Sequence, residues 1–259
     1  MSKNNINVHK PWYKIVIFFW DWNIFEKLLL SLNFAATLAI LIYSCVQGND
    51  GPKDWTIWIS FMGSITNIIS VILATKKRVS CFAWGIVAVI LFGAIAWNSK
   101  AFGNTILYWG FYIPAQIVAW VLWYRSSADK IEIKPRGMKW WYILIAIAAT
   151  TACIVGFYFI EDIPGFDKFW YCGDQKYESY HRALDSAILM MSLTMTIFAW
   201  LRFRERWVLS IVIDSLQTAF WIIIAIGVGR AGEPSGWIMM VSSLSMLVAA
   251  VYGVINWRK

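Results

Sequence analysis

Asp214 stands inside a long apolar stretch, with Ser210 four residues before it and Gln217 three after it. Trp207 and Trp221 lie seven residues to either side. Spacings of three, four and seven put all five on one helical face. A second stretch repeats Tyr108, Tyr112, Gln116 and Trp120 every fourth residue, with Pro114 among them. Proline removes a backbone donor and frees a carbonyl, which lipid does not tolerate unless a cavity or neighbour satisfies it. Asn67 is a further buried amide, and Asp185 a lesser candidate. Two facing stripes of aromatics and amides with one acid suit a flat, polar, hydrogen-bonding solute. Aromatic faces stack on a ring, amides read its edge or sugar hydroxyls, and the carboxylate accepts from hydroxyls or balances a positive ring.

A purely structural reading must be weighed beside each. Asp214 could pair helices, but no Lys or Arg stands at its depth, roughly 10 Å below the inner surface at about 1.5 Å per residue. A carboxylate in a dry core needs water or a proton, and a solute cavity supplies the water. The tyrosines could bond their own backbone at a packing kink. Asn67 could be interhelical glue. Most of the eighteen Trp are membrane-surface anchors.

The elements that hold these residues are legible from composition. The chain has 259 residues, 59% hydrophobic and only 15% charged. A soluble domain carries about 45–50% apolar and about 25% charged residues. Eight apolar runs, at 27–46, 55–75, 80–97, 103–124, 139–160, 182–201, 207–229 and 236–257, reach or approach the ~20 residues of a membrane-crossing helix. They are too long for barrel strands and do not alternate in and out. The fold class predicted is all-α integral membrane. Residues 12–25 form an aromatic, interfacial approach to the first span, with no cleavable signal.

The net charge of +8 is partitioned by loop. One side, with both termini and the 76–79, 125–139 and 202–206 breaks, holds seventeen Lys and Arg; the other holds six. Cytoplasmic loops carry such an excess, so both termini are predicted to be cytoplasmic. Topology therefore explains the charge, and nucleic acid is not called for as a partner. The 161–181 break, with Glu161, Asp162, Asp167, Asp174 and Glu178, is the acidic external loop.

The spans repeat weakly. A shift of 126 residues lays Cys81-x-x-Trp84-x-x-x-Ala88 on Trp207-x-x-Ser210-x-x-x-Asp214, which adds Trp84 to the candidates. The fourth and eighth spans match at a slightly longer offset. The pattern is one extra N-terminal span and then 3+1+3. An odd linker leaves the triplets in parallel orientation, a transporter architecture of which the SWEET proteins are an example. The predicted units are 1–53 (interfacial segment and extra helix), 54–124 (first triplet), 125–181 (linker helix and external loop) and 182–259 (second triplet).

Other classes fare poorly. A retinal protein needs a Lys in its last span, and 236–257 has none. A membrane enzyme wants paired acids, His clusters or a nucleophile–base pair, and Asp214 has no such companion. His9 and His181 lack ligand-spaced partners, and no CxxC occurs among the four Cys. Neither a metal nor a cofactor is expected. A membrane transporter remains.

Phe61–Trp123 and Ala183–Trp257 resemble the two halves of the bacterial nicotinamide riboside transporters (PnuC type). The resemblance lies in GSITNIISVILATKKR, WGIVAVILFGAIAW, FGNTILYWGFYIPAQIVAWVLW, LDSAILMMSLTMTIFAWLRFRERW and VAAVYGVINW. Phe111-Tyr-Ile-Pro-Ala-Gln116 fits that family's Tyr-Leu-Pro-x-Gln pattern, and Arg204-Glu-Arg-Trp207 its x-Glu-x-Trp start of the seventh span. The resemblance implies facilitated diffusion (uniport) of a nucleoside-like vitamin, nicotinamide riboside or a relative. It implies trapping by a cytoplasmic kinase, a SWEET-like fold, and a central site between spans three, four, seven and eight. The lipid bilayer and the small solute are then the partners, with a homo-oligomer left open. The chain departs where the family usually reads Trp-x-x-Trp-x-x-x-Asn. It has Trp207-x-x-Ser210-x-x-x-Asp214, and Ala88 where the family tends to Asn. A hydroxyl for an aromatic and an acid for an amide allow a shift to thiamine, riboflavin or a deoxynucleoside, but a carboxylate suits nicotinamide riboside and thiamine alike, so charge alone does not choose. Asp214 also allows proton coupling.

Overall fold

The structure, a computed structural model, describes residues 22–47, 54–98, 102–126, 134–160, 171–172, 175–176, 179–226 and 234–258. Most of the interfacial approach and all five named acids of the external loop lie outside the described residues. Among the described residues, eight helices are long and apolar enough to cross a membrane. They are α1 (Ile24–Gln47), α2 (Trp55–Thr75), α3 (Cys81–Asn98), α4 (Phe102–Ser126), α5 (Trp140–Ile160), α6 (Ser179–Trp200), α7 (Arg206–Ile226) and α8 (Pro234–Arg258). Each matches one predicted span within a few residues. Besides the helices, β1 (Tyr171–Cys172) and β2 (Gln175–Lys176) form an antiparallel pair of two-residue strands.

Local chemistry fixes the helix ends. At α1, Asn23 and Glu26 cap each other reciprocally, each side chain accepting from the other's backbone N–H at 2.9 Å. Asp54 caps α2 through Thr56 N–H. The α4 span is not one regular helix. Phe102–Thr105 is α-helical, Ile106–Tyr112 is π-helical, and Ile113–Ser126 is α-helical again. Ile113 N–H reaches back five residues to the Tyr108 carbonyl. The next residue, Pro114, has no N–H to keep the four-residue register, so the expected kink is a widened turn.

The two triplets are α2–α4 and α6–α8, with α5 as the odd linker between them. Their first turns are built alike. Lys77 and Arg202 both take left-handed φ, 62° and 61°. Arg78 N–H bonds Leu73 O and Lys77 N–H bonds Ala74 O; Phe203 and Arg202 do the same to Phe198 and Ala199. Each is a Schellman stop with a basic residue where glycine is usual. These pairs set the repeat at 125 residues, one fewer than the sequence alignment suggests. The structural counterpart of Asp214 is Val89, of Gln217 Phe92, and of Cys81 Arg206. Sparse identities left the one-residue slip unresolved; hydrogen-bonded turns remove it.

The last helices lock the triplets together at the basic end. Trp123 of α4 donates to Ala199 O of α6 at 3.0 Å, and Trp257 of α8 donates to Ala74 O of α2 at 3.2 Å. The acceptors are equivalent carbonyls in the two stops. The α1 helix lies along the α2–α8 seam. Buried Glu26 bonds Lys76 and Tyr252, each at 3.0 Å. Deeper, Asn33 donates to Ser245 of α8 and accepts from Ser64 of α2. The α5 helix buries no residue, and its Thr150 meets Thr194 of α6 at 2.7 Å. Its apolar surface is what a lipid-facing helix presents.

Candidate solute cavity

A cavity of about 200 Å3 lies between the triplets, reached by side chains of α2, α3, α4, α6, α7 and α8. Among the described residues that line it, Asp214 is the one acid and Arg206 the one base. Asp214 is buried, and its Oδ2 accepts from Ser210 Oγ at 2.9 Å. Gln217, one turn along α7, donates to the Tyr108 hydroxyl of α4 at 3.0 Å. That bond joins the two stripes across the triplet boundary. Tyr108 also stands between Phe92 and Tyr112, with ring centroids 5.9 and 6.0 Å away, so one wall is continuous aromatic surface.

Gln116 reaches the cavity because Gly85 faces it. A β-carbon at Gly85 would overlap the Gln116 amide. The second triplet inverts this device. A β-carbon at Gly253 would overlap the Trp207 ring, so a small residue on α8 admits a large one on α7. Asn67 lines the cavity on α2 and bonds Ser242 at 3.4 Å and Met246 Sδ at 2.8 Å on α8.

Six of the twelve sequence candidates thus share the cavity wall: Asn67, Tyr108, Tyr112, Gln116, Asp214 and Gln217. Ser210 stands behind the wall, oriented on Asp214. The other five do not line it. Trp207 is buried at the basic end, edge-on to Trp257 at 5.8 Å. Trp221 is buried at the opposite end, against Phe220. Trp84 packs beside the basic-end core. The α7 stripe does face inward along its length, but only its middle meets open space. Trp120 is exposed; beyond the π-helical turn a four-residue ladder drifts about 40° per step on an α-helix, and the two steps from Tyr112 carry it off the wall. Asp185 is buried near the far end of α6, where Asn104 of α4 donates to it at 3.2 Å. Ala88 is buried away from the cavity, while Val89 lines it.

Sequence reasoning missed several lining residues. Ser242, Ser243, Thr196 and Ser70 are hydroxyls indistinguishable in sequence from helix-packing residues. Met195, Met239 and Met246 give the wall adaptable apolar surface. In the sequence Arg206 reads as one of the charges that orient the chain and as a variable place in the Arg204-Glu-Arg-Trp207 pattern. Its available signal was three tryptophans, Trp123, Trp207 and Trp257, each at the same end of a span.

A multi-helix membrane protein whose amphipathic central cavity is walled by one carboxylate and by amides from two triplets has the form of a small-solute transporter. Residues 57–259 match the family described as nicotinamide mononucleotide transporter, and the chain belongs to it. It is similar to the nicotinamide riboside transporter PnuC of Neisseria mucosa, 22% identical over 96% of this chain and 86% of that one. It is likewise similar to the PnuC of Haemophilus influenzae, 24% identical over 92% and 91%. The crystal structure of the vitamin B3 transporter PnuC shares the fold, with TM-score 0.74, 21% identity and 95% of each chain covered. The family is one of transporters, not enzymes.

Proposed function

We propose that the chain is a uniporter importing nicotinamide riboside or a closely related nucleoside-like vitamin, with both termini in the cytoplasm of a bacterium. The relatives named above supply the substrate class. The observation that carries the reading is the convergence of Asp214, Gln217, Tyr108 and Gln116 on one cavity between the triplets. A carboxylate among aromatic faces suits a flat heterocyclic cation; the amides and hydroxyls suit a ribose. No second charge gradient is needed if a cytoplasmic kinase phosphorylates the solute after entry and so traps it. The basic turns at Lys76–Arg78 and Arg202–Arg206 support the inward orientation of that end.

Calorimetry of the purified chain against nicotinamide riboside, thiamine, riboflavin and deoxynucleosides tests the assignment. Tightest binding of nicotinamide riboside is expected; tighter binding of another compound reassigns the substrate within the family's range. Asp214 and Ser210, standing in place of the family's amide and aromatic, favour a second version in which Asp214 carries a proton with the solute. Uptake into vesicles that ignores an imposed pH gradient removes that version.

A further inference from the structure

Arg206 opens α7 at the basic end, yet its guanidinium turns inward. Its Cζ lies 4.5 Å from the Trp207 ring centroid, 5.3 Å from that of Trp257 and 5.8 Å from that of Trp123. The rings come from α7, α8 and α4, so both triplets build the enclosure. Each ring is fixed from outside. Trp123 and Trp257 are tethered by their N–H bonds to Ala199 and Ala74, and Trp207 fits over Gly253. The guanidinium has no salt bridge among the described residues. Neighbouring Glu205 pairs with Arg204 instead, at 3.2 Å. Arg206 Nε is buried without a hydrogen-bond partner. Ring faces, rather than a counter-charge, hold this cation.

The cavity extends to it, with Cys81 and Ala119 beside Arg206 in the wall. Along α7, Arg206 and Asp214 are eight residues apart, about 12 Å at the helical rise. We propose that Trp123, Trp207 and Trp257 form a second binding station for planar organic cations at the basic end of the pathway, and that Arg206 is its resident occupant. A guanidinium is flat, delocalised and weakly hydrated, as a pyridinium ring is. The solute leaves Asp214 and takes the cage as Arg206 swings out. The return of Arg206 then displaces it, which keeps the station from becoming a trap. The inference rests on the reading that the solute carries a cationic ring.

The test uses the purified full chain with two probes, nicotinamide riboside and the smaller N-methylnicotinamide cation. The wild type is expected to bind nicotinamide riboside at a single site and N-methylnicotinamide weakly. Arg206→Gln shortens the side chain and Arg206→Met keeps most of its bulk; both remove the cation from the cage. Both are expected to add a second nicotinamide riboside site by calorimetry and to tighten N-methylnicotinamide binding about ten-fold, with quenching of tryptophan fluorescence. Arg206→Lys refills the cage and behaves as the wild type. Adding Trp257→Leu to Arg206→Gln abolishes the gain. Unchanged stoichiometry and unchanged N-methylnicotinamide affinity in both vacated variants would overturn the proposal. A wild type that ignores nicotinamide riboside, with the gain for N-methylnicotinamide intact in Arg206→Gln, removes the substrate assignment and leaves the cage standing.

Discussion

The two triplets share a backbone plan and divide the chemistry. On α3 the cavity meets Cys81, Val89 and Phe92; on α7 the equivalent places hold Arg206, Asp214 and Gln217. The fourth and eighth helices reverse the bias. Tyr108 and Tyr112 of α4 face the cavity where α8 offers Ser242 and Met246, at a shift of 134 residues set by Trp123 and Trp257. Gln116 answers to Ala250 by the same shift. Of the tyrosines, glutamines and charged groups on the wall, the first triplet therefore places its own on α4 and the second on α7. The Gln217–Tyr108 bond is where the two meet. Duplicated folds need not give duplicated sites. Here the symmetry supplies the enclosure, and its breaking supplies the polar groups of the wall.

The sharpest way to break this division is to erase the α7 acid. Asp214→Ala is expected to weaken binding of a cationic substrate by about 10- to 100-fold, the range of a charge-assisted hydrogen bond. The variant should keep its fold by size exclusion, and calorimetry reads the loss. The α4 counterpart is milder. Gln116→Ala should cost about 3- to 10-fold in affinity, as a neutral hydrogen bond does.

Gly85→Ala tests the packing behind that amide. By displacing Gln116 it should reproduce the loss seen in Gln116→Ala, and the double variant should be no weaker than either single one. Additive losses would show that Gly85 acts elsewhere. Its mirror, Gly253→Ala, pushes on the Trp207 ring and should cost about 1–3 kcal/mol of stability by overpacking, seen in thermal unfolding. The smallest effect belongs to the shared turns. Lys77→Gly and Arg202→Gly each relieve a left-handed residue, and each should stabilise by about 0.5–1 kcal/mol. A stabilisation in one turn with destabilisation in the other would refute their equivalence.

The membrane architecture was legible because length and charge are coarse, additive signals. Eight runs of about 20 apolar residues leave little choice of element; the asymmetry of Lys and Arg is what the proposed orientation rests on. Asp214, Gln116 and Asn67 were legible because a polar group in lipid is costly enough to single out. Ring identity alone could not separate the wall tyrosines from the core tryptophans. Trp207, Trp221 and Trp84 satisfy the same spacing rules, and only packing sends them to the ends of the bundle. The repeat register escaped because its marker is a backbone angle at Lys77 and Arg202, where no glycine advertises it. Arg206 escaped because the same residue type serves topology on the surface and cation–π packing inside.

The most direct measurement compares nicotinamide riboside with its reduced, uncharged dihydro form, in the wild type and in Asp214→Asn. Shape is nearly constant across the pair of ligands, and volume nearly constant across the pair of proteins. The wild type is expected to prefer the cation by about ten-fold or more, and the amide variant to bind both forms alike. Equal binding of the two forms by the wild type, or a preference that survives in Asp214→Asn, would contradict a cavity built around that carboxylate.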